Sequence, residues 1–212
     1  MEKKERNLTP VEQKRKADFE RICGEMEQRG YRKRDLTVGV LQANLMAAIV
    51  MLPFVAAAFG VYGIFNPAGS VDFSLSFRGI MVFFATLLLL IALHEAIHGL
   101  TWGIFAKGHR KAIAFGFIWR MLTPYCTCSE PLMKWQYVTG AVMPTLVLGF
   151  VPAGIAAVME NFWLLALSAV MILSGGGDFF IVLKMLLHWH PHTEVLYYDH
   201  PYECGVVAFE KK

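Results

Sequence analysis

Two histidines and a glutamate form the pattern His-Glu-x-x-His at His94, Glu95 and His98, inside a strongly apolar stretch of the chain. On a helix this spacing places both imidazoles on one face, one turn apart, with the carboxylate beside them. Two imidazoles in this arrangement can bind zinc, and the glutamate can take a proton from water during hydrolysis of a peptide bond. The pattern predicts a hydrolytic zinc site, with polar contacts between helices as the simpler alternative.

The stretch that carries this motif is typical of a membrane-spanning helix. Between Arg78 and Lys107 the only charged residue is Glu95, and 56% of the whole chain is hydrophobic. A charged side chain inside a bilayer is costly, so we expect Glu95 to have a function there. On the same helix Gly99 and Gly103 belong to a separate face of small residues, which is suited to close contact with another helix.

Four segments of the chain are apolar and long enough to cross about 30 Å of hydrocarbon. They are residues 38–65, 79–106, 138–158 and 162–187. We therefore expect an all-α multi-pass membrane protein with four transmembrane helices. The expected domains are a cytoplasmic N-terminal segment at 1–36, a membrane domain at 37–187 whose catalytic core is about 79–187, and a cytoplasmic tail at 188–212.

Basic residues are concentrated on one side of the expected spans. They cluster before the first span and between the second and third spans, whereas Arg78 is the only one in the other connections. The positive-inside rule then places both termini in the cytoplasm of a protein of the cell membrane. In this orientation Glu95 lies about 18 Å of helix from Lys107 at the cytoplasmic end, so the motif is expected well below the surface. The highly charged first 36 residues do not resemble a secretory signal.

Two short elements are expected on the cytoplasmic side. Thr9, Pro10 and Glu12 have the form of a capping box, which predicts one N-terminal amphipathic helix that lies on the inner leaflet, packs on a loop or is solvated. Residues 112–119 and 124–128 predict a short β-hairpin. Its edge could add a substrate peptide as a further strand, or the hairpin could be a structural flap.

The four cysteines do not suggest a disulfide framework. All of them fall on the expected cytoplasmic side, in a reducing compartment; they are Cys23, Cys126, Cys128 and Cys204. The spacing of Cys126 and Cys128 is not that of a CxxC pair and no second pair follows. We therefore expect ordinary thiols rather than half of a second metal site.

A catalytic zinc needs a third protein ligand besides two histidines. The soluble pattern HExxHxxGxxH is excluded, because Thr101 and Ile104 stand where it has glycine and histidine. Glu130 lies in a loop beyond the expected membrane surface. Asp178 is the remaining acid inside a span, directly after three glycines, and the rise per residue places it at a depth similar to that of His98. We predict that Asp178 is the third ligand, with a helix–helix hydrogen bond as the alternative.

Several segments together resemble a known family. They are similar to the small membrane family of putative zincin peptidases, related to the site-2 proteases, and are His94–Gly99, Pro124–Cys126, Lys134–Pro144 and Gly175–Asp178. The resemblance covers roughly residues 87–209. It implies a three-helix catalytic core from the second to the fourth span, zinc bound by His94, His98 and Asp178, and Glu95 as the catalytic residue.

The chain also departs from the usual pattern of site-2 proteases. Those enzymes place the aspartate before a glycine, whereas here the glycines precede Asp178 and Phe179 follows it. Met143 precedes Pro144 where a glycine is usual, and neither the third nor the fourth expected span contains an asparagine.

The sequence predicts an intramembrane zinc metalloendopeptidase that hydrolyses peptide bonds by a zinc-activated water. Its expected substrates are membrane proteins or remnants of signal peptides, because a buried site meets segments already in the lipid bilayer. The first alternative is a non-catalytic scaffold that retains a structural metal site. The second is a metal carrier, suggested by His188, His190 and His192 but disfavoured because no internal repeat is visible. No signature of nucleic-acid binding is present, and the sequence leaves the oligomeric state open.

Overall fold

The computed structural model describes residues 10–67, 76–118, 123–188, 194–201 and 203–211, so Thr9, His190 and His192 lie outside the described residues. Within these ranges the chain is mostly helical, with two small antiparallel sheets. The helices are α1 (Pro10–Gln28), α2 (Val40–Phe65), α3 (Phe77–Phe105), α4 (Lys134–Thr145), α5 (Val151–Val158), α6 (Phe162–Ser174) and α7 (Gly176–Leu187). The strands are β1 (Arg32–Asp35), β2 (Ile113–Ile118), β3 (Thr123–Cys128), β4 (Leu132–Met133), β5 (Glu194–Asp199) and β6 (Val206–Lys211).

Among the described residues, three helical stretches are long and apolar enough to cross a membrane, and they are Leu41–Phe65, Phe77–Phe105 and Lys134–Val158. Helices α6 and α7 form a fourth if they are taken as one span, bent by 42° at the break between them. In the most apolar parts of α2 and α3 only 11% and 6% of the residues are buried. Water would strongly disfavour so much exposed apolar surface, which is consistent with a membrane protein.

The third stretch is continuous but irregular. A π-helical turn at Leu146–Phe150 joins α4 to α5, between Pro144 and Pro152. A proline has no N–H to donate to the carbonyl four residues earlier, so the regular α-helical ladder is interrupted there. The distortion at the prolines takes the form of a π-helical turn within an otherwise continuous helix.

A four-stranded sheet contains β1 from the N-terminal part of the chain and β5 and β6 from the C-terminal part. Its strand order is β1-β6-β5-β4, and every neighbouring pair is antiparallel. Helix α1 covers this sheet, with Phe19 and Met26 packed in one buried cluster with Tyr198 and Phe209. The expectation of an all-α protein is corrected here. All four residues of β1 are exposed, so no alternation of apolar residues marks it in the sequence.

Strands β2 and β3 form a separate antiparallel pair beside α3. A Cβ added at Gly99 would lie 2.6 Å from Phe115, and one at Gly103 would lie 3.5 Å from Ile113. The small residues of α3 therefore admit side chains of β2, and the expectation that another helix packs on these two glycines is wrong. This contact places the hairpin against the helix that carries the His-Glu-x-x-His motif.

Candidate metal centre

Helices α3 and α7 bring His94, His98 and Asp178 together. The Nε2 atoms of both histidines lie 3.4 Å from Oδ2 of Asp178, and the three possible ligand atoms are all within 4.8 Å of one another. Two ligand atoms bound to one tetrahedral zinc at about 2.0–2.1 Å are about 3.3 Å apart, whereas charge-assisted hydrogen bonds are about 2.7–2.9 Å long. The observed separations therefore fit a shared cation better than direct hydrogen bonds.

The other nitrogen of His94 bears on the packing alternative. His94 is buried, and its Nδ1 atom has no hydrogen-bond partner among the described residues. A metal ion bound at Nε2 would leave this nitrogen without a partner as well, whereas ligating histidines usually donate their other N–H. The distances among the three ligand atoms, rather than this nitrogen, therefore favour a metal site over a packing role.

His98 is held by contacts on the side of its ring away from Asp178. Its Nδ1 atom donates to the carbonyl oxygen of Gly140 at 2.8 Å. The indole of Trp102 stacks on the imidazole with ring centres 4.9 Å apart, and its Nε1 donates to the carbonyl of Tyr137 at 3.1 Å. A proton fixed on Nδ1 leaves the Nε2 lone pair free for a metal ion.

Pro144 explains why the Gly140 carbonyl can accept from His98. In a regular helix the N–H of residue 144 would donate to the carbonyl of Gly140, four residues earlier. Proline has no N–H, so this acceptor has no such donor and is open to His98. Gly140 also has no side chain to keep the indole of Trp102 away, since an added Cβ would overlap the ring. We did not predict either role from the sequence, although a proline four residues after a glycine is a visible signal.

The replacement Pro144→Ala is expected to weaken zinc binding by about 10–100-fold, because the new N–H competes with His98 for the Gly140 carbonyl. The measurement is a zinc titration of the purified protein against a chromophoric chelator. Pro152→Ala is the matched control, since Pro152 lies in the same irregular stretch and four residues after Leu148 rather than Gly140. Equal affinity in all three proteins would contradict this role of Pro144.

Close contacts at the break between α6 and α7 set the position of Asp178. A Cβ at Gly175 would overlap the Oγ1 atom of Thr145, and one at Gly176 would lie 2.7 Å from the carbonyl oxygen of Ala47. The glycines before Asp178 therefore let α4 and α2 approach the start of α7. The helix is interrupted at Gly175, between α6 and α7, where these close contacts occur.

The replacement Gly175→Ala is expected to destabilise the protein by about 1–3 kcal/mol, because α4 or α7 must shift to accommodate the methyl group. Gly177→Ala, two residues further along, is the control, because an added Cβ there meets nothing within 4 Å. We expect it to be neutral or to stabilise by up to about 1 kcal/mol through helix propensity. Thermal unfolding of both purified variants measures the difference, and equal stabilities would show that the contact with Thr145 is unimportant.

Glu95 lies beside the two histidines and reaches the hairpin. Its carboxylate lies close to the backbone N–H of Cys126 on β3, and the residue is only partly buried. The carboxylate is thus placed between the helix that carries the histidines and the edge of a strand. This position suits proton transfer at the candidate site.

The segment that builds this arrangement matches a known family. The family described as putative zincin peptidase matches residues 87–192, which is half of the chain. The chain belongs to this family. The matched segment contains all four predicted site residues, and the family description indicates a metallopeptidase that uses zinc. No curated protein and no solved structure matches the chain.

Two other possible metal ligands in this member of the zincin peptidase family make structural contacts. Both carboxylate oxygens of Glu130 accept backbone N–H groups at the end of α3, from Lys107 at 2.7 Å and Gly108 at 2.9 Å. His188, one member of the cluster that suggested a metal carrier, contacts Glu210 through Nε2 at 2.6 Å. Neither residue points to a second metal.

The cysteines are free thiols, as the sequence predicted. Burial raises the pKa of the Cys126 thiol far above its usual range and raises that of Cys128 to about 12. Both side chains are therefore neutral thiols at pH 7 in the metal-free protein.

A second group of possible ligands lies near the start of α2, at Asp35, His200 and Glu203. The Nδ1 atom of His200 accepts the backbone N–H of Glu203 at 3.0 Å, which places the ring proton on Nε2. Both carboxylates also accept from Thr37, at 2.8 Å to Asp35 and 3.1 Å to Glu203. These contacts join strands β1, β5 and β6, so a structural role accounts for the group.

Proposed function

We propose that the protein is an intramembrane zinc metalloendopeptidase related to the site-2 proteases. The observation that carries the proposal is the approach of His94, His98 and Asp178 to one another, next to Glu95, on long apolar helices. Membership of the zincin peptidase family supports the metallopeptidase part. The apolar surroundings of the site support an intramembrane reaction.

His94, His98 and Asp178 would hold the zinc ion in this proposal. When bound, zinc supplies Lewis acidity toward a water molecule and the carbonyl of the scissile peptide bond. Glu95 takes a proton at its carboxylate from the attacking water and then passes it to the leaving amine. His98 keeps its orientation through Gly140 during these steps.

The proposed placement has four membrane spans, with α6 and α7 as one bent span and both termini in the cytoplasm. The exposed apolar side chains of α2 and α3 would face the lipid bilayer. Substrates would be single-span membrane proteins or remnants of signal peptides. Such segments are helical in lipid, so they must unwind before a peptide bond can reach the site. Strand β3 lies beside Glu95, so such a segment would approach the site along the hairpin.

Comparative proteomics of membrane fractions tests the proposal. Cells that carry the wild type are compared with cells that carry Glu95→Gln, and Glu160→Gln in the turn between α5 and α6 is the control. We expect at least one intact membrane protein to accumulate only with Glu95→Gln, with its fragments lost. Identical membrane proteomes in all three strains would contradict the proposal and favour a non-catalytic scaffold.

A further inference from the structure

Strand β3 has an edge that faces away from β2. The backbone N–H of Ser129 donates to the carbonyl of Ala112 at 2.8 Å. Because this pair continues the register of the two strands, it shows which of their positions are hydrogen-bonded. In an antiparallel pair, hydrogen-bonded and non-hydrogen-bonded positions alternate. The backbone N–H of Thr127 is therefore hydrogen-bonded to β2, whereas the backbone N–H groups of Cys126 and Cys128 point away from β2.

Carboxylates face both of these outward N–H groups. The N–H of Cys126 lies close to the carboxylate of Glu95, and the N–H of Cys128 donates to Oδ2 of Asp199 at 2.9 Å. The outward position before them is Pro124, which has no N–H. Of the two outward N–H groups, one therefore faces Glu95 of the candidate site and the other faces Asp199 of the four-stranded sheet.

Asp199 also contacts the helix that supports His98. Its Oδ1 atom accepts the hydroxyl of Tyr137 on α4 at 2.6 Å. The backbone carbonyl of Tyr137 in turn accepts from Trp102, whose indole stacks on His98. The hydroxyl of Thr127 on β3 lies close to the same aspartate. One carboxylate therefore ties the hairpin to the start of α4.

We propose that Asp199 is a positioning residue for the candidate site. By holding the Cys128 N–H and the Tyr137 hydroxyl, it fixes the β3 edge relative to α4 and so keeps the Cys126 N–H against the Glu95 carboxylate. The role in catalysis rests on the proposed function. Asp199 lies beyond residues 87–192 that match the family, so the sheet at the end of the chain supplies part of the site.

Residue-resolved amide hydrogen exchange on the purified full chain tests the positioning. In Asp199→Ala we expect the amides of both Cys126 and Cys128 to exchange at least about 10-fold faster. The Cys128 amide loses its acceptor, and the Cys126 amide loses its alignment with Glu95. Asp199→Asn keeps one acceptor oxygen and should give an intermediate rate. Faster exchange at Cys128 alone would overturn the proposal, because Asp199 would then act only locally.

Glu194→Gln is the matched control for this experiment. Glu194 is also on β5 and also accepts a tyrosine hydroxyl at 2.6 Å, but from Tyr31 rather than from Tyr137. We expect wild-type exchange at both cysteines in this variant. Tyr137→Phe removes one hydroxyl only and serves if Asp199→Ala does not fold. It should speed exchange at Cys126, and no change there would overturn the proposal.

A kinetic measurement connects the positioning to catalysis. On a substrate found by the membrane-fraction comparison, Asp199→Ala should lower kcat about 10-fold with zinc content unchanged, and Glu194→Gln should leave kcat unchanged. An unchanged kcat in Asp199→Ala would remove its role in catalysis. The exchange measurement needs no substrate, so its outcome is separate from failure of the peptidase proposal.

Discussion

Replacement of Glu95 by glutamine is expected to slow peptide hydrolysis by about 10²–10⁴-fold while zinc stays bound. Glutamine has nearly the same size and keeps a side-chain oxygen that can accept the N–H of Cys126, so the contact with the hairpin should survive. It cannot take a proton from water at neutral pH. The substitution therefore removes proton transfer and little else.

Steady-state kinetics and the zinc content of the same preparation measure this effect. The control Glu160→Gln should match the wild type in both, because Glu160 lies in the turn between α5 and α6. Full activity of Glu95→Gln would show that another group moves the proton. Loss of zinc from this variant would show that Glu95 acts on the metal site rather than on the reaction.

The replacement Asp178→Asn is expected to weaken zinc binding by at least about 100-fold, more than the loss of a group that only orients a ligand. The carboxylate oxygen lies 3.4 Å from both imidazoles and supplies the only negative charge among the three proposed ligands. A neutral amide oxygen is a much poorer zinc ligand.

Metal analysis after dialysis against a weak chelator measures the zinc retained by each variant. Asp35→Asn is the control, since Asp35 belongs to the second His, Asp and Glu group of the described residues. We expect the wild type and Asp35→Asn to retain zinc equally. Loss of zinc from Asp35→Asn with retention in Asp178→Asn would show that the metal binds to the second group instead.

The convergence of the site residues could be predicted from the sequence because each leaves a local signal. His94 and His98 have helical spacing, and a carboxylate such as Asp178 is rare in an apolar span. Their similar depth follows from the rise per residue. The structure brings these three side chains together, and the glycines before Asp178 explain how neighbouring helices approach it.

The contacts that hold the site could not be predicted in the same way. Strand β1 is exposed throughout and pairs only through its backbone, so apolar periodicity does not mark it. Asp199 is far along the chain from the hairpin it contacts, and no local pattern connects the two. The small residues of α3 predicted a close contact, but they do not distinguish a strand from a helix as the partner.

The most direct test of the central claim is cleavage of one identified membrane protein by the purified protein in lipid vesicles, followed by mass measurement of the fragments. We predict that the wild type cuts within the membrane segment, that chelation stops the reaction and zinc restores it, and that Glu95→Gln gives no fragments. Equal cleavage by both proteins, or wild-type cleavage unaffected by the chelator, would contradict an intramembrane zinc peptidase.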